Sequence, residues 1–235
     1  NWPARIGFWL MKPGLKRADY QAAQAVDVFI ANSSEVQKRI KRYYHRDSIV
    51  VHPPVEFERF VPHAKRLLDR TYYLAHGRQV RPYKTPEIAI RACNELKLPL
   101  IVSGGGPDHE RLKSIAGPTV TFEHFPSDER VSELFGGARG YIFPIKEDFG
   151  IVQVEALAAG APVIAYAHGG SEDIIRDGEG GVTFEPRTTG ALIEALQRFE
   201  TLSFQPATMQ RIAKQYNKNL FIQKMKKIVN DNYIS

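Results

Sequence analysis

At 235 residues, 43% of them apolar and 25% charged, the chain can bury a sizeable core, which excludes a wholly disordered or fibrous protein. Its single cysteine, Cys93, excludes a disulfide framework or cysteine metal cluster within the chain, and no apolar run reaches the roughly 18 residues of a membrane-spanning helix. The net charge of +6 admits an anionic small ligand, an anionic membrane surface or nucleic acid as a partner.

The chain opens on Asn1-Trp2-Pro3-Ala4-Arg5, with neither an initiator Met nor the charged-then-apolar pattern of a secretory leader, so residue 1 is not expected to be the biological start. Residues 27–31 read as a short buried strand. Ser33 or Ser34 then caps a helix running to about Tyr44, with Val36, Ile40 and Tyr44 at helical spacing. Lys38, Arg39, Lys41, Arg42, His45 and Arg46 cluster there. A solvated helix face, a contact with an anionic membrane surface and a nucleic-acid patch all fit them. The last fits least, because no helix-turn-helix, zinc-finger or single-strand-stacking signature accompanies the cluster. Residues 48–52 read as a second strand, stopped by Pro53-Pro54, and residues 53–70 as an irregular linker.

Strands are then expected at 72–75, 99–103, 120–123, 141–144, 162–166 and 182–184. Helices alternate with them at 86–96, 107–115, 128–135, 150–159 and 172–176, and fill the remainder. Cys93 falls in the apolar stripe of Ile88, Ile90, Ala92 and Leu96, the place of a small buried hydrophobe, which fits a reducing cytoplasm. Repeated β-α-β units with continuous apolar strands imply a parallel α/β sheet covered on both faces. Right-handed crossovers make it a doubly wound, Rossmann-like sheet, whose ligands bind at the carboxyl ends of the strands.

Four loops lie at those ends. The first runs Lys146-Glu147-Asp148-Phe149-Gly150-Ile151 and opens the helix that carries Glu155. The amides of Phe149, Gly150 and Ile151 are expected as free first-turn donors facing an anion, and Gly150 lets a ligand approach the backbone. Glu155 is placed to accept ribose hydroxyls, and Glu147 stands where a sugar would hang from the phosphates. The plainer alternative is that Glu147 and Asp148 only favour the helix dipole. The second loop, His168-Gly169-Gly170-Ser171-Glu172, offers an anion nest or an ordinary cap. In the third, Arg78 and Lys84 hang over the same sheet edge and suit a diphosphate, or are surface charges. The fourth, Gly104-Gly105-Gly106-Pro107, allows close backbone approach or simply turns the chain.

In this order the loops resemble the retaining GT-B glycosyltransferases (glycosyl transferases group 1, family 4). The resemblance covers about residues 24–200. It rests on Gly77-Arg78 with Lys84, Ser103-Gly104-Gly105-Gly106-Pro107, Phe143-Pro144, the Glu147 to Glu155 spacing with its Gly160-Ala161-Pro162-Val163-Ile164-Ala165 tail, and Gly169-Gly170. The wording Glu-Asp-Phe-Gly-Ile-Val looks most like the bacterial mannosyltransferases that build surface polysaccharides. Two departures stand out: one extra residue before Lys84, and Gln153 where a proline is common.

The resemblance implies a hexosyltransferase taking a GDP- or UDP-hexose, mannose foremost, to a saccharide or lipid-linked acceptor with retention and without a metal. It makes Glu147, Arg78 and Lys84 the catalytic group. Glu155, Asp148, Phe149, Gly150, Ile151, Gly105 and Gly106 hold the donor, and the backbone of residues 122–126, with His124 and Phe125, flanks the base. It divides the chain into the end of an acceptor domain (1–55), a linker (56–70), the nucleotide-sugar domain (71–216) and a helix crossing back (217–235). Val28, Ile30, Val50 and Val51 are then expected on uncovered apolar faces.

Three functional readings follow. One is a transferase fragment that binds donor but is inactive alone, at the cytoplasmic side of a membrane. The second is a short nucleotide-sugar-binding subunit that pairs with a separate partner. The third, a sugar-nucleotide epimerase, fits the Glu147 to Glu155 block poorly.

Overall fold

A computed structural model describes residues 2–233; residue 1 and residues 234–235, including the Ile234 to which the last helix was expected to run, lie outside the described residues. The chain starts with a helix that the sequence pattern did not announce, α1 (Trp2–Gln24), which carries Pro13 inside it. Phe8, Trp9, Leu10, Met11 and Leu15 on it are each more than half exposed.

The next unit is strand, helix, strand. β1 (Phe29–Ala31) and β2 (Ser48–Val50) pair in parallel around α2 (Ser34–Tyr44). Ser33 caps α2 by accepting from the Val36 amide at 3.2 Å, and His45 ends it in the left-handed conformation at φ 55°. Val51, expected on an uncovered face, is buried. Val28 and Val50 are half-buried, and Ile30 and Ile49 stay open. The basic cluster is not one free face. Lys38, Arg39 and Lys41 pair with Glu172, Asp148 and Asp47, and Arg46 donates to the carbonyls of Ala23, Gln24, Val26 and Asp27 at the end of α1.

The stretch expected as an irregular linker is instead a short helix, α3 (Phe57–Phe60), followed by two 3-10 turns at Val61–His63 and Leu67–Asp69. Burial explains the difference. Phe60 meets Phe135 edge-on at 6.2 Å, and Val55, itself buried, donates its amide to the Tyr216 carbonyl at 2.9 Å.

The alternation then follows the expected order, with bounds moved by a few residues. Its elements are β3 (Tyr72–Arg78), α4 (Glu87–Leu96), β4 (Leu100–Gly105), α5 (His109–Ser114), β5 (Val120–His124), α6 (Asp128–Gly137), β6 (Ala138–Phe143), α7 (Ile151–Ala158), β7 (Val163–Tyr166), α8 (Ser171–Ile174), β8 (Gly181–Phe184), α9 (Thr189–Glu200), α10 (Pro206–Ala213) and α11 (Lys218–Tyr233). All pairings in the six-stranded sheet are parallel, in the order β5-β4-β3-β6-β7-β8. From β3 the chain steps outward to β5, returns to lay β6 beside β3, and steps outward the other way. The two directions part between β3 and β6, and that switch point opens a crevice at the carboxyl ends of both strands. Cys93 is buried in α4 as expected, and burial pushes its thiol up to about 12. Among the described residues, no helix is long and apolar enough to cross a membrane.

One buried cation ties the sheet to α7. Arg70 is 3% exposed and donates to the carbonyls of Lys65, Ala138, Ala159 and Gly160 at 2.7–3.3 Å. Burial pushes its guanidinium down to about 10, so it stays charged at neutral pH, where it faces the negative end of α7. Arg70→Ala strands those carbonyls and is expected to cost about 2–4 kcal/mol of folding free energy. Denaturant unfolding measures this, and a loss within experimental error of zero would contradict the role.

Candidate functional site

The switch-point crevice is built by the loops after β3 and β6. β6 ends at Phe143 and α7 begins at Ile151, with Gly150 as its cap at φ 80°. A side chain on Gly150 would be strained and would overlap the side-chain Nε2 of Gln153. The helix therefore starts one residue later than expected, and Phe149 and Gly150 precede it. Among the described residues, none accepts a hydrogen bond from the amides of residues 149–152. The expected run of free donors is present and includes Val152, and such a run at a helix start suits an anion.

Phe149 is buried and stacks on His52 at 5.5 Å. The glycine pair expected as a second anion nest serves this loop instead. The Gly170 amide donates to the Glu147 carbonyl at 2.9 Å, and a side chain on Gly170 or Gly169 would overlap the backbone of Phe149 or Glu147.

The extra residue before Lys84 is absorbed in a turn closed by paired Val80 and Lys84 amides and carbonyls, at 2.6 and 2.8 Å. The turn brings the Lys84 ammonium within 2.7 Å of the Glu147 carboxylate. Both line an open cleft of about 540 Å³ with Asn32, Pro53, Asp148 and Gly150. Arg78 does not converge on that cleft. It ends β3 beside Gly105 and lines a narrower crevice with His76, Ser103 and Phe143. Below lies Tyr141, whose hydroxyl donates to the His76 carbonyl at 3.0 Å. Burial raises its phenol, and the negative charges of Glu147 and Glu155 add to the rise. Burial lowers His76 to about 4, and its Nδ1 meets the Ser103 hydroxyl at 3.0 Å, so this ring is neutral at neutral pH.

Glu155 sits half-buried on α7. Burial raises its pKa, opposed by Arg59 and reinforced by Asp128 and Glu56. Among the described residues its carboxylate has no hydrogen-bond or ion-pair partner, though its backbone carbonyl accepts from the Ala159 amide.

At the end of β5, the His124 ring lies against that of His109, tilted by 32° with centroids 4.1 Å apart. Phe125 adopts φ 48° and is 71% exposed, with its ring resting over Gly105. Gly105, expected to admit a ligand, is thus covered by an aromatic ring. Gly106, at φ 153°, is needed because a side chain would overlap the Gln79 carbonyl.

The sequence reading missed His52 and Asp173 and gave no role to Lys146, though all three bear on this loop. Lys146 and Asp173 offered only their positions beside the Glu-Asp-Phe-Gly and glycine segments as a hint, and His52 offered none. Residues 62–231 match the family described as Glycosyl transferases group 1. The chain belongs to this family.

This group 1 chain is similar to a D-inositol 3-phosphate glycosyltransferase of Streptomyces scabiei (strain 87.22), 30% identical over 221 residues, which cover 80% of this chain and 49% of that protein. A protein of the same name from Mycolicibacterium paratuberculosis (strain ATCC BAA-968 / K-10) is 32% identical over 186 residues, covering 69% of this chain and 42% of its own. The group 1 chain thus spans about half the length of the curated relatives it matches. Among solved structures, a glycosyltransferase from Rickettsia africae superposes with a TM-score of 0.78 at 18% identity, covering 91% of this chain and 66% of its own. The Anabaena protein HepE, solved with UDP and glucose, gives 0.76 at 18% identity, covering 92% and 66%. At that identity the likeness shows the fold, the GT-B type of parallel α/β sheet.

Glu155 gives this site a pH signature. A carboxyl whose folded pKa is raised holds its proton more tightly in the folded state, so stability falls as pH rises from the ordinary glutamate range through the raised value. Glu155→Gln is therefore expected to melt higher than the parent chain at neutral pH. The gain should vanish below the usual glutamate pKa of about 4.3. Thermal melts at both pH values test the sign.

Proposed function

We propose that this chain holds the nucleotide-sugar donor of a hexosyl transfer, with the donor diphosphate at the start of α7. The observation that carries the reading is the run of acceptor-free amides at residues 149–152, beside the Lys84–Glu147 ion pair at the switch point. In transfer, the bond from the anomeric carbon to the diphosphate oxygen breaks, a bond to an acceptor oxygen forms, and the acceptor gives up its proton. Negative charge grows on the leaving diphosphate. Fixed amides and the Lys84 cation aimed there stabilise it more in the transition state than in the ground state, and no metal is invoked for that task.

Arg78 reaches the far phosphate from the neighbouring crevice. Glu155, a half-buried carboxylate without a partner among the described residues, accepts the ribose hydroxyls. Glu147, held by Lys84, positions the hexose. His124, Phe125 and the turn beside them flank the base, with the Phe125 ring displaced from Gly105 or stacked on the base. The solved HepE complex with UDP and glucose supports a UDP-hexose, and the sequence resemblance keeps a GDP-hexose, mannose included, in the panel. Transfer to a saccharide or lipid-linked hydroxyl, with retention, completes the proposal. The relatives' name adds an inositol phosphate to the acceptors worth testing.

Calorimetric titration with UDP-, GDP- and ADP-sugars tests the donor half, and one class is expected to bind well ahead of the others. Glu155→Gln should weaken nucleoside diphosphate binding by about 1–3 kcal/mol, the scale of a lost charge-assisted hydrogen bond. Unchanged affinity removes Glu155 from the ribose role. Joint loss of Arg78 and Lys84 should harm nucleoside diphosphate far more than nucleoside; equal harm to both ligands points to a structural role instead.

A further inference from the structure

The unit of β1, α2 and β2 meets the large sheet through the loops that shape the candidate site. Asp173, on α8, is the centre of that contact. Its carboxylate, 12% exposed, accepts from the Ser34 amide at 2.7 Å and the Ser34 hydroxyl at 2.5 Å, and lies 3.2 Å from His52 Nε2. Ser34 is the first residue of α2. A helix start has several orphan amides and favours negative charge. The Ser33 hydroxyl satisfies the Val36 amide, and the carboxylate of a different unit takes the Ser34 amide.

Ion pairs flank this cross-unit cap: Lys146 with Glu35 at 2.8 Å, Arg39 with Asp148 at 2.5 Å, and Lys38 with Glu172 at 3.1 Å. Each is partly exposed and worth little alone. Together they place partners from α2 on both sides of Glu147.

The contact continues into the site. The Tyr216 hydroxyl donates to the Asp173 carbonyl at 2.8 Å, and the rings of Tyr216 and His52 lie 5.7 and 5.5 Å from that of Phe149. Asp173 thus fixes two rings that enclose Phe149, and the acceptor-free amides begin at Phe149. The charges matter as well. A diphosphate at those amides meets the Asp148 and Glu147 carboxylates, and Arg39 offsets the first as Lys84 offsets the second.

We propose that α2 and its cross-unit cap are part of the donor site: Asp173 is a positioning residue that, through His52 and Tyr216, holds Phe149 and the amide run in anion-binding shape. Arg39 screens Asp148 so that a diphosphate can approach. This rests on the donor reading above. It adds that the grip on the diphosphate depends on residues outside the nucleotide-sugar sheet.

The test uses the whole chain and calorimetric titration with UDP, GDP and their nucleosides. Asp173→Asn keeps the shape of the side chain and removes its charge. It is expected to weaken diphosphate binding about 5-fold or more while nucleoside binding stays within about 2-fold, a coupling of the usual size between linked sites. Arg39→Glu should weaken the same ligand, and Asp148→Arg added to it should restore binding by reversing the pair. Hydrogen exchange gives a readout that simple loss of stability would not mimic: bound diphosphate should slow the amides of residues 34–37 in the parent chain and not in Asp173→Asn.

If Asp173→Asn fails to fold, the charge reversal and the exchange measurement on the parent chain decide the question. A parent chain that binds diphosphate, with variants that bind it equally well, with no rescue, or with no slowing at 34–37, overturns the clasp and leaves the donor reading standing. A parent chain that binds no nucleoside diphosphate removes the donor reading and the clasp with it.

Discussion

The amides of residues 149–152 meet no acceptor among the described residues, and much of the surrounding structure works to keep them so. A backbone donor denied any partner costs about 1–3 kcal/mol when buried, so a chain left to itself turns or coils to satisfy it. Here the loop cannot fold back. Gly150 takes a left-handed conformation just before α7, and Phe149 is locked into the core by its ring. Gly170, by having no side chain, lets the next loop pass against the Phe149 backbone without covering the donors. The helix dipole of α7 then adds to the same field.

That arrangement works only at a switch point. β3 and β6 are neighbours whose chains leave in opposite directions, so the loop after each can stand apart from the other and leave a crevice. Lys84 comes from one loop and Glu147 from the other, and they meet across it. The floor is neutral and buried: Tyr141 is hydrogen-bonded to the His76 carbonyl, and the His76 ring is held uncharged by burial. Charge is thus confined to the rim, where a diphosphate would be met. A low-dielectric floor strengthens every interaction above it.

The same region is not built for stability alone. Glu155 is a carboxylate that burial penalises and that no described residue bonds. Arg70, more fully buried, is compensated by four backbone carbonyls. The contrast separates a structural charge, fully satisfied by the protein, from one left with bonding capacity for something else. Asp173 stands between the two kinds. It is satisfied, but by a unit that is not its own, so its bonds transmit the position of α2 to the site.

By itself the sequence determined the alternation of strands and helices, the parallel doubly wound sheet, the family, and which loops face the crevice. Apolar periodicity and glycine placement are local, and each strand's burial on both faces is written in its own residues. The amide run at the start of α7 followed from the same local pattern, whereas the partial burial of Glu155 did not. Tertiary structure decided the rest. α1 could not be read because its exposed apolar side chains and internal Pro13 follow no helical stripe. The supposed linker became helical turns because Phe60 found Phe135 across the core, a contact 75 positions away in the chain (135 less 60). Arg78 and Lys84 were expected together, but the turn geometry after β3 sends them into separate depressions. Gly105 read as a ligand approach until a left-handed Phe125 laid its ring there. Asp173 carried no signal beyond its place after the glycine pair. Its partners, Ser34 and His52, lie more than a hundred positions away, and only folding brings a helix start, a histidine and a carboxylate to one point.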